Sequence, residues 1–213
     1  YSKRYNGAMA IKFRIMTEHI YQEVANRRDS FRVMETAEYN AEQNLATKLS
    51  NLGAAWQIKI GSENEALTEY TALLDKVVAT HMELRAAVIE ASEYSAKVMD
   101  GDYTQTQLNK QQEYKKRVNH LVAELADYRL DASQYNLAYK LKYRKSFSNS
   151  MLLQRYIDAF DGKNTRYSHS GDEEYGDVVY LAELYSLVGS QEELDKVEEI
   201  KNQILDAYRN SVM

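Results

Sequence analysis

The chain is 213 residues and 24.7 kDa, carries a net charge of −5, and contains neither cysteine nor proline. About ten prolines are usual at this length, so long uninterrupted elements are predicted; β-sandwich, collagen-like, disulfide-stapled and zinc-thiolate architectures are excluded. The acidic balance, with Lys140, Lys142, Arg144 and Lys145 the closest thing to a basic stripe, argues against a nucleic-acid binder, which needs clustered positive charge against phosphates.

Three long helical patterns lead the chain. The first is predicted over residues 8–60, opening after Asn6-Gly7. Its apolar residues Leu45, Leu49, Leu52, Trp56 and Ile60 step by four, three, four and four and so keep one helical face. Gly61 is expected to end it, and Gly53 marks a kink, a break or a tolerated interior glycine.

The second pattern opens on Ser62 with Glu65 three residues later, a capping box in which each side chain satisfies a free backbone N–H. Leu67, Tyr70, Leu74, Val77, His81, Leu84, Val88, Ala91, Ser95 and Val98 then recur at alternating steps of three and four, a heptad seam. Asp100-Gly101-Asp102 forms a tight polar turn. The third pattern covers about 104–147, with a seam of Val118, Leu121, Leu125, Tyr128, Ala132, Tyr135 and Tyr139. Two matching seams joined by a short connection predict antiparallel neighbours.

The remainder is shorter in period. A helix is expected over 151–160, a polar loop over 161–174, a helix over 178–188, and a last helix opened by a second capping box, Ser190 with Glu193. The fold class is therefore all-α: an elongated antiparallel bundle of three long helices over 1–149, with a short helical extension or cap over 150–213.

Catalytic signatures are not found. No cysteine nucleophile, glycine-rich phosphate loop or G-x-S-x-G turn is present. The four histidines are His19, His81, His120 and His169; none follows a glutamate by three residues, as a di-iron bundle requires. His19 with Glu23 and His120 with Glu124 stand four apart, the spacing of a surface ion pair or of half a metal site. His81 lies in a seam, where it serves as a hydrogen-bonded core or register residue or as a pH sensor. No cofactor is expected.

Tyrosine is the oddity: 18, against four phenylalanines and one tryptophan. An aromatic ring with a wet tip suits the boundary of a thin bundle. It also suits a protein interface, and Tyr167, Tyr175, Tyr180 and Tyr185 are the candidates for that role. Arg27 and Arg28, followed by Asp29, interrupt the apolar face of the first helix. They form a solvated patch or an ion-pairing site that positions a partner chain.

Tyr5-Asn6, then Arg27-Arg28-Asp29, then Ala132, Tyr135-Asn136, Tyr139 and Phe147 follow one another in an order that resembles the LemA family over residues 5–149. That family's prolines after the arginine pair and after the final phenylalanine are absent, and Ser148 follows Phe147. The resemblance implies a long helical bundle without known catalytic activity, tethered to a bacterial membrane at its N-terminus, here through a segment upstream of Tyr1. The helical pattern is also similar to the ligand-binding domains of bacterial chemoreceptors and sensor kinases. The sequence thus points to a non-enzymatic, membrane-tethered bundle that acts through protein–protein contacts or self-association, as a scaffold or assembly component. The rival is an extracytoplasmic sensor domain with a small ligand between its helices.

Overall fold

The computed structural model describes residues 37–101, 103–160 and 172–211, and among them the chain is all helical. Six helices follow in order: α1 (Ala37–Gln57), α2 (Glu63–Met99), α3 (Gln105–Tyr143), α4 (Asn149–Ala159), α5 (Asp172–Leu187) and α6 (Gln191–Ser211). The first part of the first predicted helix, with Tyr5, Asn6, His19, Arg27 and Arg28, lies outside the described residues.

The spine is the antiparallel hairpin of α2 and α3, 37 and 39 residues long, or roughly 55 to 60 Å at 1.5 Å per residue. Its ends are set by side chains. Ser62 Oγ accepts from Glu65 N at 3.2 Å while Glu65 Oε2 accepts from Ser62 N at 2.9 Å, the capping box expected from sequence. Gly61 leaves room for it: a Cβ there would meet Glu65 Oε2 at 2.0 Å and displace the capping carboxylate. Thr104 and Gln107 repeat the device at the start of α3. At Ser190 half of the expected box forms: Ser190 Oγ accepts from Glu193 N at 3.2 Å, while Glu193 Oε1 accepts from Gly189 N at 3.1 Å, one residue before the N-cap.

α3 stops at Tyr143, four residues before the predicted end, because Arg144 takes a left-handed conformation at φ 61° and its N–H donates to Lys140 O. The chain then folds back. Asn136 Oδ1 accepts from Phe147 N at 2.9 Å, and the Phe147 ring inserts between Tyr139 and Tyr70, with centroids 4.1 and 4.3 Å away. The junction is latched to the beginning of α2 as well. Lys142 Nζ donates to Ile60 O at 2.6 Å, Tyr143 OH donates to Gly61 O at 2.6 Å, and Lys145 pairs with Glu63 at 2.7 Å.

Two apolar cores share the hairpin. One joins α1, α2 and α3 through Ala55, Ile60, Tyr70, Leu74, Val77, Leu125, Tyr135 and Tyr139. The other joins α4, α5 and α6 through Leu153, Tyr156, Tyr180, Leu184, Val197 and Ile204, closed by Val78 from α2. Val77 and Val78 are consecutive residues pointing into different cores. α2 is thus buried on two sides, and one seam of period 3.5 cannot describe it. Ala66, Arg85, Ile89 and Ser92 are buried off the predicted seam, and seam residue Leu67 is 45% exposed.

α1 departs from the expected face. It is helical straight through Gly53, where a Cβ would meet nothing within 4 Å. Leu49 and Trp56, predicted to face the core, are 58% and 72% exposed. Among the described side chains of α1 the buried one is Ala55, because the surface resting on α3 lies off the leucine stripe. Ile60 is buried, but it stands beyond the helix end at Gln57 and shares no helical face with Trp56. Among the described residues two long helices pack together, α1 rests on α3, and a helical cap sits on α2.

Candidate functional site

Polar groups are buried where the cap meets the hairpin. His81 and Arg85 stand four apart on α2, hence on one face, and are 4% and 6% exposed. Tyr156 from α4, Tyr180 and Glu183 from α5, and Arg129 from α3 converge on them. His81 Nδ1 lies 2.8 Å from Tyr156 OH and 3.5 Å from Arg129 Nη2. A guanidinium is only a donor, so Nδ1 accepts here and the imidazole is neutral. Tyr156 and Tyr180 present their rings edge-on to the imidazole, at 5.4 and 5.6 Å. The Arg85 guanidinium lies over the Tyr180 ring at 4.9 Å and over Phe160 at 5.6 Å, which returns part of the cost of removing its charge from water. Arg129 reaches Glu183 at 3.7 Å, while its buried Nε has no hydrogen-bond partner among the described residues.

This setting fixes protonation. Burial, then the charges of Arg129 and Arg85, push His81 down to about 4. Burial pushes Tyr156 up to about 12, against the lowering effect of Arg129, so its hydroxyl keeps its proton and donates to His81.

A groove of about 450 Å³ opens from this cluster between α2 and α3, within the size range of small-ligand sites. Its walls are apolar: Leu84, Val88 and Ala91 from α2, Val118 and Val122 from α3, and Val179 from α5. His81 and Arg85 lie at the cap end, and Ser92, Ser95, Lys115 and Asn119 toward the α2–α3 turn. A hollow of about 510 Å³ beside Asp75, Gln154 and Asp158 is more open, and the Arg155–Asp75 ion pair at 2.9 Å spans it.

The residues singled out in the sequence are dispersed. Tyr180 was expected at an interface; it is fully buried, stacked on Phe160 and facing His81. Tyr185 is half-buried and donates to Glu198 at 2.7 Å, a contact that with burial raises its pKa. Tyr175 belongs to α5; Tyr167, His169, Arg27 and Arg28 lie outside the described residues. His120 sits 3.7 Å from Glu124 at the surface, and among the described residues no three His, Cys, Asp or Glu side chains gather as a metal would need. Of the residues that carry the LemA resemblance, Tyr135, Tyr139 and Phe147 belong to the aromatic cluster at the foot of the hairpin, and Asn136 holds Phe147. Arg85 and Arg129 were missed. Arg85 carries the one available signal, an i+4 spacing from a seam histidine.

No described helix is long and apolar enough to cross a membrane. No family model, curated protein or solved structure matches the chain.

Proposed function

We infer that the chain is a ligand-binding helical module of the sensor type, taking a small molecule between α2 and α3. The observation that supports this is the joining of a 450 Å³ apolar groove to a buried cluster of His81 and Arg85. Ionisable groups are expensive to bury, and here they are held at the end of a cleft with room for a ligand. A ligand bound there touches both hairpin helices and Val179 of the cap, so it bears on how the cap sits against the hairpin. A thermal-shift screen of metabolites tests this: a ligand that raises the melting temperature of the wild type and not of Val122→Trp, which fills the groove mouth, is expected. Equal stabilisation of both proteins would count against the groove.

A second reading, a scaffold acting through protein–protein contacts, is supported by α1. Leu49 and Trp56 stand two turns apart on one exposed face, and exposed apolar faces of this kind mark contact surfaces. Trp56 is the sole tryptophan, so its emission reports directly on that face. A blue shift with rising protein concentration, matched by sedimentation and lost in Leu49→Lys, is the outcome for self-association. Unchanged emission with a monomeric sedimentation profile would remove self-association.

A further inference from the structure

We propose that the groove takes an amphiphilic organic acid, with its carboxylate at the Lys115 end and its apolar body lying toward Leu84 and Val179. This rests on the ligand-binding reading and adds the ligand's chemical class.

The polar lining is sorted by position. Antiparallel pairing sets Lys115 of α3 level with Ser92 and Ser95 of α2, as the neighbouring contacts Gln111–Ser95 and Tyr114–Tyr94 show. Lys115 carries three N–H donors and a full positive charge. Ser95 Oγ accepts from Gln111 Nε2 at 2.9 Å, which leaves its own proton to donate. Ser92 adds a hydroxyl and Asn119 an amide at the same level. The described residues lining the groove include no carboxylate. A negative headgroup at this end therefore meets donors and a cation without a competing negative charge, the condition for charge-assisted hydrogen bonds. Beyond it Ala91, Val88, Val118 and Val122 line the walls with apolar side chains, and at the far end His81 is engaged by Tyr156 and the Arg85 guanidinium lies over the Tyr180 and Phe160 rings. From Ser95 to Leu84 the helix rises roughly 16 Å, the length of an extended chain rather than of a compact sugar or amino acid. A cationic ligand is disfavoured by Lys115, and a fully polar one leaves the valines against water-seeking groups.

The experiment is isothermal titration of the full chain with decanoate, decanol and decylamine, each below its aggregation threshold, in wild type, Lys115→Gln and Val122→Trp. Decanoate is expected to bind wild type, to bind Lys115→Gln about tenfold more weakly, equivalent to about 1.4 kcal/mol, and to lose binding to Val122→Trp. Decanol is expected to bind weakly and indifferently to Lys115→Gln. If decanol or decylamine binds as tightly as decanoate and Val122→Trp abolishes it, the acid is overturned while the groove stands as a binding site. If decanoate binds equally to Val122→Trp, or no probe binds wild type, both the class of ligand and its place in the groove are overturned. Val122 is 51% exposed, so its replacement does not disturb a core; a circular-dichroism melt matching wild type verifies this before titration.

Discussion

His81 Nδ1 and Tyr156 OH, 75 residues apart in sequence, meet at 2.8 Å inside the protein. The pair ties the cap to the hairpin, with the Tyr156 hydroxyl donating to the neutral imidazole. Facing His81 are Arg129 from α3, Arg85 from α2, Tyr156 from α4, and Tyr180 and Glu183 from α5. The two guanidinium groups oppose a third positive charge, and Glu183 is spent on Arg129.

The pH dependence follows from that geometry. His81 is lowered from 6.5 to about 4 in the folded protein, so between these values the unfolded chain binds the extra proton and is favoured. Stability from this group is present above pH 6.5 and is lost as pH falls toward 4, by up to about 3 kcal/mol at 1.36 kcal/mol per pKa unit. Urea unfolding at pH 7 and pH 4.5 should show a steeper loss in wild type than in His81→Gln, which keeps an acceptor for Tyr156 and does not titrate. Parallel losses in the two proteins would mean that His81 is not held neutral.

The aromatic foot of the hairpin is a second test. Phe147 is clasped between Tyr70 and Tyr139 and anchored by Asn136, while Tyr143 OH donates to Gly61 O. Phe147→Ala is expected to cost about 2–4 kcal/mol through lost burial and the void it leaves. Tyr143→Phe, which removes one hydrogen bond, should cost about 1 kcal/mol. Chemical denaturation measures both, and a smaller loss for Phe147→Ala than for Tyr143→Phe would contradict this packing.

Two substitutions should stabilise. Gly53 is in the interior of α1 with open space where its Cβ would be, so Gly53→Ala should add about 0.5–1 kcal/mol. Arg144 holds φ 61° at the end of α3, a conformation that glycine adopts without strain, so Arg144→Gly should add about 1 kcal/mol. Thermal melts of the single and double variants check both values and their additivity, expected for sites that share no partner.

Much of the fold was legible because helix periodicity and capping chemistry are local. Ser62 with Glu65, Ser190 with Glu193, and the α3 seam from Leu121 to Tyr139 are where the sequence placed them. What failed depends on the partner surface rather than on the helix itself. Trp56 keeps perfect step with Leu49 and Leu52, yet α3 covers the neighbouring Ala55, and no period reveals which of two adjacent stripes is covered. Tyr180 reads as an interface candidate because tyrosine is enriched at interfaces and this one lies in the tail; α4 and His81 enclose it. Arg144 ends α3 without glycine, asparagine or proline, so nothing in the residue type announces the stop. The groove was not legible residue by residue, because Arg85, Lys115 and Val179 are brought together only by the α2–α3 register and the docking of α5.

The most direct test uses the absence of native cysteine. Val122→Cys places a single thiol on the groove wall, and Leu130→Cys places one on the same helix at 46% exposure, outside the groove lining. Alkylation rates of the two proteins are measured with and without a stabilising ligand, decanoate first. Binding between α2 and α3 should slow alkylation at position 122 severalfold and leave position 130 unchanged. Equal rates at 122 with and without a ligand that demonstrably stabilises the protein would place that ligand elsewhere and contradict the groove as its site.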